Sequence, residues 1–296
     1  MPTWDEILKE HEQQHPFTVL CRYISAVNEQ TKRTTICYMS AFSVVKPPVP
    51  AIFHSIIDND MQGFMTCMHG TDKSKLDLVL HTPGGDFEAT KRIINYLHST
   101  YQHIRVFVPH MALSGGTLLA CVADEIYMGP YSSLGPTDAQ IFIEDRYVPV
   151  NAVLKEFDKA FDEVKHEPAK ALLWSERICR IPFGIIKAAE NVQKNSETYL
   201  ADLLGKRNCI GKPRAGIDLA AKFLSDVELH SSHSAGISLD VARQQGLNIK
   251  DLTEDKELED AVLSVYHAAT IVFQKTDTQK LIVNHKGKSY VNRFAG

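Results

Sequence analysis

The stretch LDLVLHTPGGDFEATKRIINYLHSTYQHIRVFVPHMALSGGTLLACVADEIYMG, residues 76–129, alternates short apolar runs with two glycine-bearing turns and two segments of helical period. The runs LDLVLHT, IRVFVP and DEIYMG read as strands. Between them, FEATKRIINYLHSTY sets Phe87, Ile93, Ile94, Leu97 and Tyr101 near one helical face, and GTLLACVA reads as a second helix. Strand, helix, strand, helix, strand at these lengths predicts parallel pairing through right-handed crossovers, and so an α/β domain. The turns HTPGGD and ALSGG then fall at the C-terminal ends of strands, where ligands of open α/β sheets sit.

Outward from this segment the signals are weaker. Upstream, Thr3 and Glu6 have the spacing of a capping box, which predicts a short helix over about residues 4–12, limited by Pro16. RTTICYMSAF (33–42) reads as a strand followed by the breaker cluster KPPVP, and SIIDNDMQGFMTCM (55–68) as a helix. Downstream, the apolar period is helical between about 149 and 205. HSAGISLDVARQQGLNI then reads as a loop, a helix ended by Gly246 and a return strand. A helix near 256–275 and a hairpin around Lys286 and Gly287 complete the chain. There is no internal repeat, low-complexity tract or obvious linker.

Composition narrows the function. A 296-residue chain with 44% hydrophobic and 23% charged residues is ordinary for a globular protein, and no apolar run nears the roughly 20 residues of a membrane span. The polar start lacks the pattern of a secretory signal, so the expected location is cytoplasmic. Six cysteines far apart, with no C-x-x-C, fit buried thiols in a reducing compartment. A formal net charge of −4 argues against nucleic acid as a partner.

Ser114 stands before Gly115 and Gly116 at the mouth of a helix, which admits two readings. As a helix N-cap it is structural. Alternatively the turn presents it as a nucleophile, with the amides of Gly84–Gly85 and Gly115–Gly116 aimed at a developing anion, either an acyl oxyanion or a phosphate. No G-x-G-x-x-G or Walker pattern favours the phosphate.

The runs LVLHTPGGDFEATKRIINYL and VPHMALSGGTLLACVADEIYMGPYSSLGPTDAQ resemble the serine dehydrogenase proteinase family, a branch of the Clp protease/crotonase-like fold related to signal peptide peptidase A. The resemblance is dense from about 76 to 140 and thins toward 250. It implies an α/β spiral of β-β-α units with added C-terminal helices. The expected divisions are an N-terminal helical extension over 1–30, the peptidase domain over 31–250, and a C-terminal helix and hairpin over 251–296. It also implies a serine peptidase acting on peptides or proteins through an acyl-enzyme on Ser114, with Gly85 and Gly115 supplying oxyanion amides. No cofactor follows, and members of this fold tend to self-associate, so a homo-oligomer is expected. The rival readings are an acyl-CoA enzyme of the crotonase type and a non-catalytic scaffold.

A serine hydroxyl needs a base to take its proton. Clp proteases resemble this chain but carry a histidine on the strand after their serine, and YMGPYSSLGPTDAQ has none. Signal peptide peptidases use a lysine instead, which must be desolvated to be neutral. Lys187, in IIKAAENV, looks like that lysine, with Lys170, Lys165 and Lys155 as alternatives. His81 and His110 read as strand-end histidines bonded to backbone, and Asp138 as a turn residue. His11-Glu12-Gln13-Gln14-His15 matches the H-E-x-x-H zinc pattern, but its polar surroundings and Pro16 predict a solvated terminus. His230 and His233 have ligand-like spacing without supporting ligands, so no metal is expected.

Overall fold

The computed structural model describes residues 3–143, 146–179, 181–226 and 236–294. Helix α1 (Trp4–Gln13) starts with the capping box: the Thr3 hydroxyl accepts from the Glu6 amide, and the Glu6 carboxylate accepts from the Thr3 amide. Pro16 does more than stop α1. It occupies the first turn of α2 (Pro16–Thr31), where its missing N–H leaves no bond unmade. Strand β1 (Thr34–Ser40) follows.

The predicted helix over 55–68 is shorter than its apolar period: α3 is Asp60–Met68, and Ile56 instead makes a parallel bridge to Gly85. The regular segment follows as β2 (Lys75–His81), α4 (Phe87–Thr100), β3 (His103–Val108), β4 (Met111–Ala112), α5 (Gly115–Ala120) and β5 (Glu125–Met128). Of the apolar stripe predicted on α4, Ile93, Ile94, Leu97 and Tyr101 are buried, and Phe87 packs against them half-exposed.

Next come β6 (Ser133–Leu134), the hairpin of β7 (Gln140–Ile143) and β8 (Arg146–Pro149), and a helical arm of α6 (Val150–His166), α7 (Ala171–Ile178) and α8 (Ile185–Lys206). The chain continues through α9 (Arg214–Ser225), α10 (Leu239–Gln244), β9 (Ile249–Asp251), α11 (Lys256–Lys275), β10 (Thr278–Asn284) and β11 (Ser289–Arg293). Gly287, with φ of 76°, makes the tight turn between the last two strands.

Seven strands form the main sheet in the order β11-β10-β1-β2-β3-β5-β9. From β1 to β9 the neighbours are parallel; β10 joins β1 antiparallel, so the C-terminal segment extends the same sheet. Helices cover both faces. Along β1, Ile36 and Tyr38 enter the core beneath α3, α4 and α5, while Cys37 and Met39 enter the core beneath α2 and α11. This two-sided burial explains why the strands read as unbroken apolar runs instead of alternating ones. Four of the six cysteines are buried here as free thiols; Cys21 is half-buried and Cys179 exposed.

Candidate functional site

Two chain corners meet at the C-terminal ends of β2 and β4. Strand β4 lies beside the end of β2: the Thr82 amide donates to the Met111 carbonyl at 3.1 Å and the Leu113 amide to the Thr82 carbonyl at 3.0 Å. Beyond that ladder the turns touch. A Cβ on Gly84 would lie 2.5 Å from the Leu113 carbonyl oxygen and 2.9 Å from the Ser114 Cβ, and one on Gly115 would lie 3.2 Å from the Gly85 amide nitrogen. Gly84 also has φ of 94°, so this approach admits only glycine.

Ser114 is the first residue the corner presents. Its φ and ψ are 51° and −119°, a region that non-glycine residues rarely occupy. The other described non-glycine residue with positive φ, Lys32, closes α2 in the ordinary left-handed helical region. Ser114 precedes α5 yet its side chain makes no capping bond, and the residue is only half-buried. An N-cap serine earns its place by bonding an orphan amide. This one is held in a strained conformation with its hydroxyl uncommitted among the described residues, the kind of feature that concentrates at active sites.

The amides around it are arranged by strand geometry. Ile56 bridges the PGG turn through its amide to the Gly84 carbonyl at 2.8 Å and its carbonyl to the Asp86 amide at 2.9 Å. Successive residues of an extended segment send their amides to opposite sides, so the Gly85 N–H is directed away from Ile56, toward the Ser114 corner. Neither the Gly85 nor the Gly115 N–H has an acceptor among the described residues. Thr117 ties the corner down from inside, donating from its hydroxyl to the carbonyls of Ala112 (2.7 Å) and Gly135 (2.8 Å).

His81 supports the Ser114 turn from behind. Its Nδ1 sits 3.1 Å from the Met111 carbonyl and 3.2 Å from the Met111 amide, and its Nε2 is 2.9 Å from the Ser43 hydroxyl. Burial, with the neighbouring His110, pushes its pKa down to about 3, so the ring is neutral. The His81 and His110 rings stack at 5.5 Å, and His110 Nδ1 meets the Tyr266 hydroxyl at 2.9 Å. Among the described residues neither histidine ring bonds to Ser114; His81 grips backbone, as a strand-end histidine does. Asp138 is buried beside Asn151, Gln193 and Ser225.

Lys187 departs from expectation. Its side chain is 75% exposed and its ammonium pairs with Glu190 at 2.9 Å, one turn along α8. Turned to water and bonded to Glu190, Lys187 is not joined to Ser114 as a dyad in this conformation. Of the apolar neighbours that suggested burial, Ile186 and Val192 are themselves exposed, while Ala189 on another side of the helix is buried. Lys155 and Lys165 are also exposed. Lys170 is held between Glu163 and Glu167, and its hydrogen bond to Glu167 first raises its pKa, the reverse of what a base needs.

The zinc spacing fails on geometry. Helix α1 ends at Gln13 and His15 caps α2, so the two histidines do not share a helix face. The expectation of a solvated terminus fails as well, since His11 is buried. Among the described residues no group of three or more His, Cys, Asp and Glu is placed to hold a metal ion. His230 and His233 lie outside the described residues.

Residues 15–180, more than half of the chain, match the family described as the ClpP-like SDH-type serine proteinases. The chain belongs to this family. Its α/β architecture is accordingly a Clp protease-like fold. Two uncharacterized proteins of Methanocaldococcus jannaschii are 38% identical over 91 residues and 37% identical over 92 residues, covering 30% and 31% of this chain. The aligned parts span about a third of those relatives, 32% and 30%. Among solved structures, the 1510-N membrane-bound stomatin-specific protease, as a serine-to-alanine mutant, aligns over 70% of this chain and 79% of its own. The identity is 13% and the TM-score 0.41, too remote to carry any argument. No helix among the described residues is long and apolar enough to cross a membrane.

Sequence reasoning missed Ile56, Ser43 and the buried pair Asp60 and Lys280. None carries a local signal, because each acts through a residue far away in the chain.

Proposed function

We propose that this chain is a serine peptidase that hydrolyses peptide bonds through an acyl-enzyme on Ser114. The observation that carries the reading is the strained, uncapped serine packed against a glycine corner whose amide, like that of Gly115, has no acceptor among the described residues. In this reaction Ser114 Oγ attacks the carbonyl carbon and gives its proton to a base. The carbonyl oxygen becomes an oxyanion between the Gly85 and Gly115 amides, and the protonated amine leaves. Water then releases the acyl group by the same route. Each such donor contributes about 3 to 4 kcal/mol to a transition state of this type.

The base in this proposal is a lysine that must first lose water. Lys155, Lys165, Lys170 and Lys187 all belong to the helical arm, which also exposes Phe161, Leu172, Leu173 and Phe183. Large exposed apolar side chains gathered on one arm favour its use as a contact face. Covering it, as the expected self-association would, desolvates the lysine that acts; Lys187 does so only after parting from Glu190.

The test is a fluorophosphonate probe read by mass spectrometry. Ser114 is expected to be labelled, and Ser114→Ala to abolish the label. Methionine substitutions at the four arm lysines identify the base as the one whose loss slows labelling. A wild-type protein that is folded, assembled and unlabelled sinks the proposal.

A further inference from the structure

The Ile56 strap behind the PGG turn is itself gripped by a buried ion pair. Asp60 opens α3 and Lys280 lies mid-way along β10 beside Ser40 of β1; the two are 0% and 1% exposed and 2.7 Å apart. Lys280 Nζ donates to the Ser55 carbonyl at 2.6 Å. Asp60 accepts from the Ile57 amide at 3.0 Å and from the Tyr38 hydroxyl at 2.8 Å. These contacts bracket Ile56 one peptide at a time. In the first peptide, Lys280 holds the Ser55 carbonyl while the Ile56 N–H holds Gly84. In the second, Asp60 holds the Ile57 N–H while the Ile56 carbonyl holds Asp86.

Both peptide planes that orient the Gly85 corner are thus fixed at their far ends by opposite charges. A buried ion pair is a poor way to gain stability, because desolvation cancels much of its attraction. It is a good way to fix direction, since an ammonium and a carboxylate each hold several partners at once.

We infer that Asp60 and Lys280 are positioning residues for the Gly85 amide, holding it at the angle an oxyanion requires. The inference rests on the peptidase reading for its catalytic meaning, though the grip on the turn is a property of the fold.

The experiment uses the full chain and three variants: Lys280→Met, the double Asp60→Asn/Lys280→Met, which leaves no formal charge buried, and Asp77→Asn as a control. Asp77 forms a comparable buried pair with Arg33 and Arg105 among strand residues remote from the corner. Two readouts are taken at a temperature where circular dichroism reports a folded protein. They are p-nitrophenyl butyrate hydrolysis and hydrogen exchange of segments 53–58 and 82–87.

The positioning variants are expected to lose about 10- to 100-fold in kcat, the scale of a small misplacement. Their KM should stay within about twofold, and exchange should rise in both segments. Asp77→Asn is expected to lower the melting temperature while leaving kcat in place. Folded positioning variants with wild-type kcat and exchange overturn the inference. So does a double variant that cannot fold, since the pair is then a folding element. If wild-type protein neither turns over nor labels at Ser114, the peptidase reading fails. The exchange readout alone then judges the grip on the turn, unchanged protection overturning it.

Discussion

At Ser114, backbone strain falls on the proposed nucleophile. A side chain held at φ of 51° and ψ of −119° costs on the order of 1 to 3 kcal/mol, which the surrounding ladder to Thr82 must offset. Both Ser114→Ala and Ser114→Gly remove the hydroxyl, but only glycine relieves the strain. Chemical denaturation is therefore expected to find the glycine variant about 1 kcal/mol more stable than the alanine one, after allowing for glycine's entropy in the unfolded chain. Equal stabilities would mean the turn is not strained. Gly85 has the opposite problem: a Cβ there would sit 2.3 Å from the Ile56 nitrogen and 2.4 Å from its carbonyl oxygen. Backbone has to move to admit it, so Gly85→Ala is expected to destabilise by about 2 kcal/mol and to slow labelling of Ser114. A folded variant with unchanged labelling would show that the corner tolerates displacement.

At the scale of elements, α1 packs against α11 through Trp4 and His267, and it carries a buried histidine of its own, His11. Both ring nitrogens of His11 lack a hydrogen bond among the described residues. Burial, then Lys275, pushes its pKa down to about 4 from an ordinary 6.5, with Glu10 opposing and Arg22 assisting. Above about 6.5 the ring is neutral whether α1 is docked or free. As pH falls from there toward 4, the free helix takes a proton that the docked one refuses, so docking weakens. The protection factor of residues 4–13, which compares observed exchange with the intrinsic rate at each pH, is expected to fall between pH 7 and 4.5, and His11→Leu to reduce that fall. A protection factor that does not change with pH in the wild type would refute it. The helical arm teaches a second lesson. Its period is helical and its composition mixed, as read, yet Lys187 lies on the water side because none of the described residues covers that face.

At the scale of the molecule, the last strands are structural members of the main sheet. Strand β10 lies between β1 and β11, every one of its residues is buried, and it brings Lys280 to Asp60 across 220 positions of sequence. Truncation after Thr276 opens the β1 edge and strands the Asp60 carboxylate without its cation. The truncated chain is expected to lose cooperative unfolding, followed by near-ultraviolet circular dichroism. A chain ending at 276 that melts cooperatively and labels at Ser114 would show the hairpin to be dispensable.

What the sequence alone determined is what depends on neighbours a few residues away. The capping box at Thr3 and Glu6, the apolar face of α4, the strand runs and the two glycine corners are all local patterns, governed by helical and strand periods or by backbone freedom. The parallel order followed because short crossovers have one favoured hand. Only the tertiary structure decided whether Ser114 caps its helix, that residues 55–57 leave their helix to brace Gly85, and that Asp60 and Lys280 meet. It alone decided that His11 is buried and Lys187 is not. Burial and ion pairing are set by which distant segments come together, and a residue's own neighbours in sequence carry no record of that.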